Sequence, residues 1–114
     1  MKKTQKERLD KLFKLIKDNP ELPILPMVDS EIVADDGYAR WSASWGSSEI
    51  DEYYITKEKV HFKDADDWDK IADVLSSEFG YDVYDGMSDT TAKEVYNNLP
   101  WIRAIVVNID LPEV

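Results

Sequence analysis

Leu9, Leu12, Phe13 and Ile16 recur at the i, i+3, i+4, i+7 spacing of one helix face. That period predicts an amphipathic helix over residues 4–19, with Lys6, Arg8, Lys11, Lys14 and Lys17 around the rest of its surface. Pro20 ends it, because a proline disfavours helical backbone at the residue before it. Pro20, Pro23 and Pro26 then predict a stiff, extended connector over 20–26.

Beyond the connector the period falls to two. Asp36-Gly37 and Gly46-Ser47 suit two-residue hairpin turns, and together they predict a three-stranded antiparallel meander over 27–55. The implied register pairs Ile32 with Trp41, Val28 and Ser48 with Trp45, and Ala43 with Ile50. It sets Trp41 and Trp45 on the inward face, against which the helices would pack, with Glu52 as a misfit opposite Trp41. The outward face carries Asp29, Glu31, Tyr38, Arg40, Ser42, Ser44, Glu49, Asp51 and Tyr53. A short fourth strand fits Val60–Phe62.

Trp68, Ile71, Ala72, Leu75 and Phe79 form the apolar stripe of a second helix over 65–79, with Asp64 at its start and Gly80 at its C-cap. Residues 81–87 read as a loop punctuated by Asp85-Gly86. Ser88 caps a third helix over 89–99 that turns Ala92, Val95, Tyr96 and Leu99 inward and stops at Pro100. Ile105-Val106-Val107 marks residues 101–111 as a central strand buried on both faces. The predicted class is α+β: an antiparallel sheet of four to five strands with about three helices, in the order α-β-β-β-(β)-α-α-β. The 114 residues make one domain, with a basic helix to residue 19, the connector, and an acidic body over 27–114.

Charge sharpens this picture. The net charge is −10, yet residues 1–20 carry seven Lys/Arg against three Asp/Glu, and residues 21–114 carry seven against 21. An acidic body repels nucleic acid and attracts basic protein surfaces. There is no cysteine, which removes disulfides, thiolate metal sites and a Cys nucleophile. No apolar stretch approaches a membrane span, and no apolar signal core follows the basic N-terminus, so the expectation is a soluble cytoplasmic protein without membrane contact.

Catalytic patterns are weak. His61 is the sole histidine, and with no nucleophile elbow nothing marks a Ser or Thr for it to activate. Asp64, Asp66, Asp67 and Asp69 invite a Ca²⁺ loop, but Trp68, Asp69 and Leu75 occupy the fifth, sixth and twelfth positions counted from Asp64, where an EF-hand needs an oxygen ligand, Gly and Glu. The four glycines are unclustered, so no phosphate loop exists. No metal, cofactor or catalytic residue is assigned. Residues 64–89 hold nine Asp/Glu and one Lys. Asp66, Asp69 and Asp73, flanked by Asp67 and Glu78, would form a charge row able to imitate a nucleic-acid backbone. The alternative docking surface is the sheet face with Asp29, Glu31, Tyr38, Glu49, Asp51 and Tyr53.

The run Asn19-Pro20-Glu21-Leu22-Pro23-Ile24-Leu25-Pro26-Met27-Val28, with Asp35-Asp36-Gly37-Tyr38, Trp41, Ser44-Trp45-Gly46 and Ile50-Asp51-Glu52-Tyr53-Tyr54, resembles a group of small acidic proteins encoded by phages and prophages of Gram-positive bacteria. Leu99-Pro100-Trp101 before an Ile/Val strand is similar too. The likeness covers most of the chain beyond the first helix and carries no catalytic motif. It implies the cytoplasm of a bacterial host, a setting in which small acidic proteins include anti-CRISPR and other inhibitors of nucleic-acid-directed defence. The function expected is therefore a non-enzymatic phage accessory protein that binds a basic protein surface, such as a nucleic-acid-binding defence enzyme, in competition with nucleic acid. The alternatives are a structural or regulatory phage protein acting through self-association and, third, a small hydrolase or metal-dependent enzyme.

Overall fold

The computed structural model describes residues 3–33, 42–57 and 59–112. The class is α+β, as the periodicities predict. Helix α1 (Lys3–Asp18) leads into β1 (Ile24–Val28) and a 3-10 turn at Ser30–Val33. Strands β2 (Ser44–Thr56) and β3 (Lys59–Phe62) follow, then α2 (Trp68–Phe79), α3 (Tyr81–Asp85), α4 (Asp89–Asn97) and β4 (Ile102–Asp110). The four strands lie in the order β1-β4-β2-β3. The residues group into two compact units, Met1–Ile50 with Ala104–Val114, and Asp51–Arg103.

The first unit is organised by β4. Ala104, Ile105, Val106 and Val107 are all buried, so both faces of this strand are covered, as the apolar run predicts. Leu12 of α1 packs with Ile105 and Val107, and Leu15, Ile16, Leu22, Ile50 and Ile109 surround them. Phe13, placed in the apolar stripe by its spacing, is instead 60% exposed. The polar side of α1 ties down the start of β2. The Gln5 side-chain amide accepts from Trp45 N–H at 2.7 Å and donates to Trp45 C=O at 2.9 Å, and Arg8 donates to the same carbonyl.

Three expectations need correction here. First, the sheet is mixed rather than wholly antiparallel, because β1 runs parallel to β4 from Ile24↔Ile105 to Val28↔Ile109. The second half of the proline connector is thus a strand. Pro23 C=O and Asp29 N–H bond to β4, so Ile24, Pro26 and Val28 turn their main-chain groups the other way. A proline fits there because its missing N–H falls on the side with no strand neighbour among the described residues.

Second, the meander does not form. Residues 44–56 are one continuous strand, and Gly46-Ser47 lies inside it. A Cβ at Gly46 would sit 2.7 Å from Asn108 C=O and 2.6 Å from Asp110 Oδ2. Glycine is there for a close approach of β4 rather than for a turn. Ser44, Gly46 and Ser48 are therefore buried and Trp45, Ser47 and Glu49 exposed, so the helices do not pack on a Trp45 face. The Asp36-Gly37 turn, Tyr38 and Trp41 lie outside the described residues.

Third, residues 81–85 are helical rather than loop, and α2 starts at Trp68 with Asp67, not Asp64, as its N-cap. The core of the second unit is Ile71, Val74 and Leu75 of α2 with Ala92 and Tyr96 of α4. Ser88 caps α4 as predicted, accepting from Thr91 N–H. Tyr96 is fully buried, its hydroxyl accepts from Asp64 N–H at 2.8 Å, and its ring meets Trp101 edge-on at 4.9 Å. Trp101 Nε1 in turn donates to Tyr96 C=O at 2.7 Å.

Gly46→Ala tests the strand assignment. Overpacking against a main-chain carbonyl should cost about 1–3 kcal/mol in urea unfolding. A Gly46→Ala protein as stable as the parent would restore the turn.

Candidate functional site

Of the acidic row predicted on α2, only part is free. Asp66 precedes the helix, and its N–H donates to Asp64 Oδ1 at 3.1 Å. The Asp67 carboxylate caps α2 by accepting from Asp69 N–H and Lys70 N–H. Asp69 is exposed in the first turn, where a carboxylate suits the helix dipole. Asp73 is engaged: Lys59 Nζ lies 2.6 Å from its Oδ2, and this ion pair holds its carboxyl below the usual range. Glu78 is exposed and takes a hydrogen bond from Tyr54, whose phenol is pushed up first by burial and then by this partner. Asp66, Asp69 and Asp73 therefore do not form a single row on one helix.

The residues of the alternative sheet face fall on different elements. Asp29 and Glu31 are exposed around the 3-10 turn, with Glu31 N–H donating to Asp29 Oδ1. Glu49, Asp51 and Tyr53 alternate along β2, Glu49 exposed and the other two half-buried. Tyr38 lies outside the described residues.

What the sequence reading missed is a knuckle where α2 meets α3. Gly80 has φ of +93°, a conformation that side chains disfavour, and it joins the two helices at one residue. Its N–H closes α2 on Ser76 C=O, while its C=O accepts from Tyr84 N–H and opens α3. Around this junction Phe79 is 42%, Tyr81 66% and Val83 54% exposed. Glu78, Asp82 and Asp85 are interleaved with them, all exposed, and none is in an ion pair among the described residues. Tyr84 alone turns into the core. By spacing Phe79 fits the apolar stripe of α2 yet it stays exposed, and the signal in the sequence was Tyr81 and Val83, apolar residues just beyond that stripe.

His61 is buried. The β2–β3 hairpin pairs Tyr54 with His61 and Thr56 with Lys59, setting these side chains on one face. Thr56 Oγ1 and His61 Nε2 lie 2.5 Å apart, and His61 Nδ1 is 3.6 Å from Asp73 Oδ2. The order hydroxyl–imidazole–carboxylate matches a nucleophile triad. Thr56, however, is buried and does not line the adjoining cleft of Lys59, Val60, His61, Phe62, Lys70 and Asp73. The imidazole is held on both sides, so the arrangement fastens the hairpin to α2. Burial is the main force pushing its pKa below 6.5, aided by Lys59 and opposed by Asp73. Among the described residues no three carboxylates or imidazoles gather around a point that would hold a metal ion.

No protein-family model matches the chain, and neither a curated protein nor a solved structure matches it.

The His61 site predicts a pH dependence. Burial in the native state disfavours the charged imidazole, whereas the unfolded chain protonates it below 6.5. The unfolded state then binds more protons, so stability should fall as pH drops from 6.5 towards the depressed native value. Asp73 adds a second loss below 3.8, where its ion pair is protonated. Urea midpoints measured between about pH 8 and about pH 5 should decline in the parent and run flatter in His61→Gln. An identical slope in both proteins would remove His61 as the cause.

Proposed function

We propose that this chain is a non-enzymatic phage accessory protein that binds a basic protein surface through the Glu78–Asp85 knuckle. The observation that carries the reading is the exposure of Phe79, Tyr81 and Val83 among three acids that form no ion pair among the described residues. A tyrosine is an effective anchor, since it buries a large area at low entropic cost and keeps a polar tip. The surrounding carboxylates steer a cationic partner and repel other acidic surfaces. The rest of the proposal comes from the resemblance to small acidic phage and prophage proteins. The setting is the cytoplasm of a bacterial host, and the partner is a nucleic-acid-binding defence enzyme whose basic groove the protein occupies as an anti-CRISPR or related inhibitor. A surplus of 14 acids over bases beyond residue 20 argues against direct nucleic-acid contact by that part of the chain.

The knuckle replaces the Asp66–Asp69–Asp73 row as the proposed recognition surface. Reversing Asp73 would break its pair with Lys59 beside His61, so that variant confounds binding with folding. Tyr81, Asp82 and Asp85 are exposed and can be changed without such a loss. Immobilised protein should capture its partner from host lysate, less so at high salt, and nucleic acid should displace it. Tyr81→Ala with Asp82→Lys and Asp85→Lys should weaken capture by about a hundredfold, the scale of one lost anchor. Asp29→Lys with Glu31→Lys should not. Undiminished capture by the knuckle variant would sink the proposal.

A further inference from the structure

Helix α1 presents the electrostatic counterpart of the knuckle. Its inward residues, Leu12, Leu15 and Ile16, leave Phe13 at the rim of the stripe and 60% exposed. Lys17 follows Phe13 by four residues and Lys6 precedes it by seven, so both lie on its side of the helix. Lys3 pairs with Glu7 at 4.0 Å and Arg8 reaches Asp110 at 3.6 Å. Lys6, Lys11, Lys14 and Lys17 are left outside any ion pair among the described residues. One exposed aromatic thus sits on α1, with Lys17 and Lys6 on its side of the helix and Asp10 as the acid three residues before it. Three exposed apolar side chains interleaved with carboxylates sit on the knuckle.

We propose that α1 of one copy of this chain docks on the α2–α3 knuckle of a second copy, Phe13 against Tyr81 and its neighbours, in a head-to-tail contact. The proposal rests on the reading of the knuckle as a docking surface and names a second occupant for it. The argument for a second copy is charge complementarity within one sequence. Residues 1–20 carry four more bases than acids, and the remainder carries 14 more acids than bases. Two copies with net charge −10 repel in most orientations. The orientation that brings the basic helix to the acidic knuckle is the attractive one. Such a contact joins unlike surfaces, so it propagates into a ring or an open chain. It also occupies the knuckle, so self-assembly and capture of a basic partner exclude each other.

Sedimentation velocity on the full chain tests this, with two variants that change only exposed side chains. Phe13→Ala with Lys17→Glu disables the helix face, and Tyr81→Ala with Asp82→Lys disables the knuckle. At protein concentrations up to about 1 mM, the parent should associate in about 0.01 M salt and dissociate in about 1 M, where screening shortens from about 30 to about 3 Å. Each variant alone should stay monomeric. Their equimolar mixture should form a 1:1 dimer, because each supplies the face the other lacks. Circular dichroism checks folding, and Lys6→Glu, which changes one exposed charge, serves as a milder helix variant with partial loss. A monomeric parent at low salt, variants that still associate, or a mixture that stays monomeric each overturn the proposal. Partner capture separates the two readings. If the helix variant captures a basic partner and the knuckle variant does not, the knuckle stands as a docking surface whatever the fate of self-association. If the knuckle variant captures as well as the parent, that reading fails by itself.

Discussion

A strand buried on both faces has no water to satisfy its main chain, so its N–H and C=O groups need strand neighbours. Strand β4, with Ala104 to Val107 all buried, is under that constraint, and it sits between β1 and β2. The need for a neighbour explains why a proline-rich stretch becomes a strand. Ile105 N–H donates to Pro23 C=O and Asp29 N–H to Ile109 C=O, which brackets β1 along β4. Pro26 falls at a position whose main-chain groups point away from β4, so the ladder loses nothing. On the other side, β2 comes so close that Gly46 has no room for a Cβ. Helix α1 then covers Ile105 and Val107 with Leu12.

The long periodic elements were legible because their patterns are local. Helix α1, the body of α2, the Ser88-capped α4 and the apolar β4 all follow from spacing and capping residues in the sequence. The errors share a cause: one residue type serves two physical purposes. Glycine supports a turn and also permits close approach, and at Gly46 the second applies. Proline marks a connector and also tolerates an edge strand, and at Pro26 the second applies. Asp64 and Asp67 are both fit to cap a helix, and only the path of the chain between β3 and α2 selects Asp67. Long-range pairing, which spacing does not encode, decides each of these.

Charge counting was misleading for a related reason. Nine acids between residues 64 and 89 suggest one acidic surface, but folding gives them separate tasks. Asp67 satisfies main-chain donors at the start of α2, Asp64 closes a turn with Asp66, and Asp73 neutralises Lys59. Carboxylates committed to local hydrogen bonds offer less to a partner than a formal count suggests. Glu78, Asp82 and Asp85, outside any ion pair among the described residues, are interleaved with Phe79, Tyr81 and Val83, whose side chains the core does not take. The candidate surface is therefore marked by the exposed apolar side chains beside these carboxylates rather than by the number of acids.

The same reasoning bears on His61. A working base needs one ring nitrogen oriented by a partner and the other facing a nucleophile that substrate can reach. In this chain the Nε2 partner is Thr56, which is buried at the end of a hairpin. The carboxylate at the other end divides itself between His61 and Lys59, with Lys59 the closer at 2.6 Å against 3.6 Å. Its strongest interaction is thus with an exposed cation and not with the imidazole it would have to orient. A polar cluster so arranged selects one packing of the β2–β3 hairpin against α2, since sliding either element would strand a buried imidazole or hydroxyl without a partner.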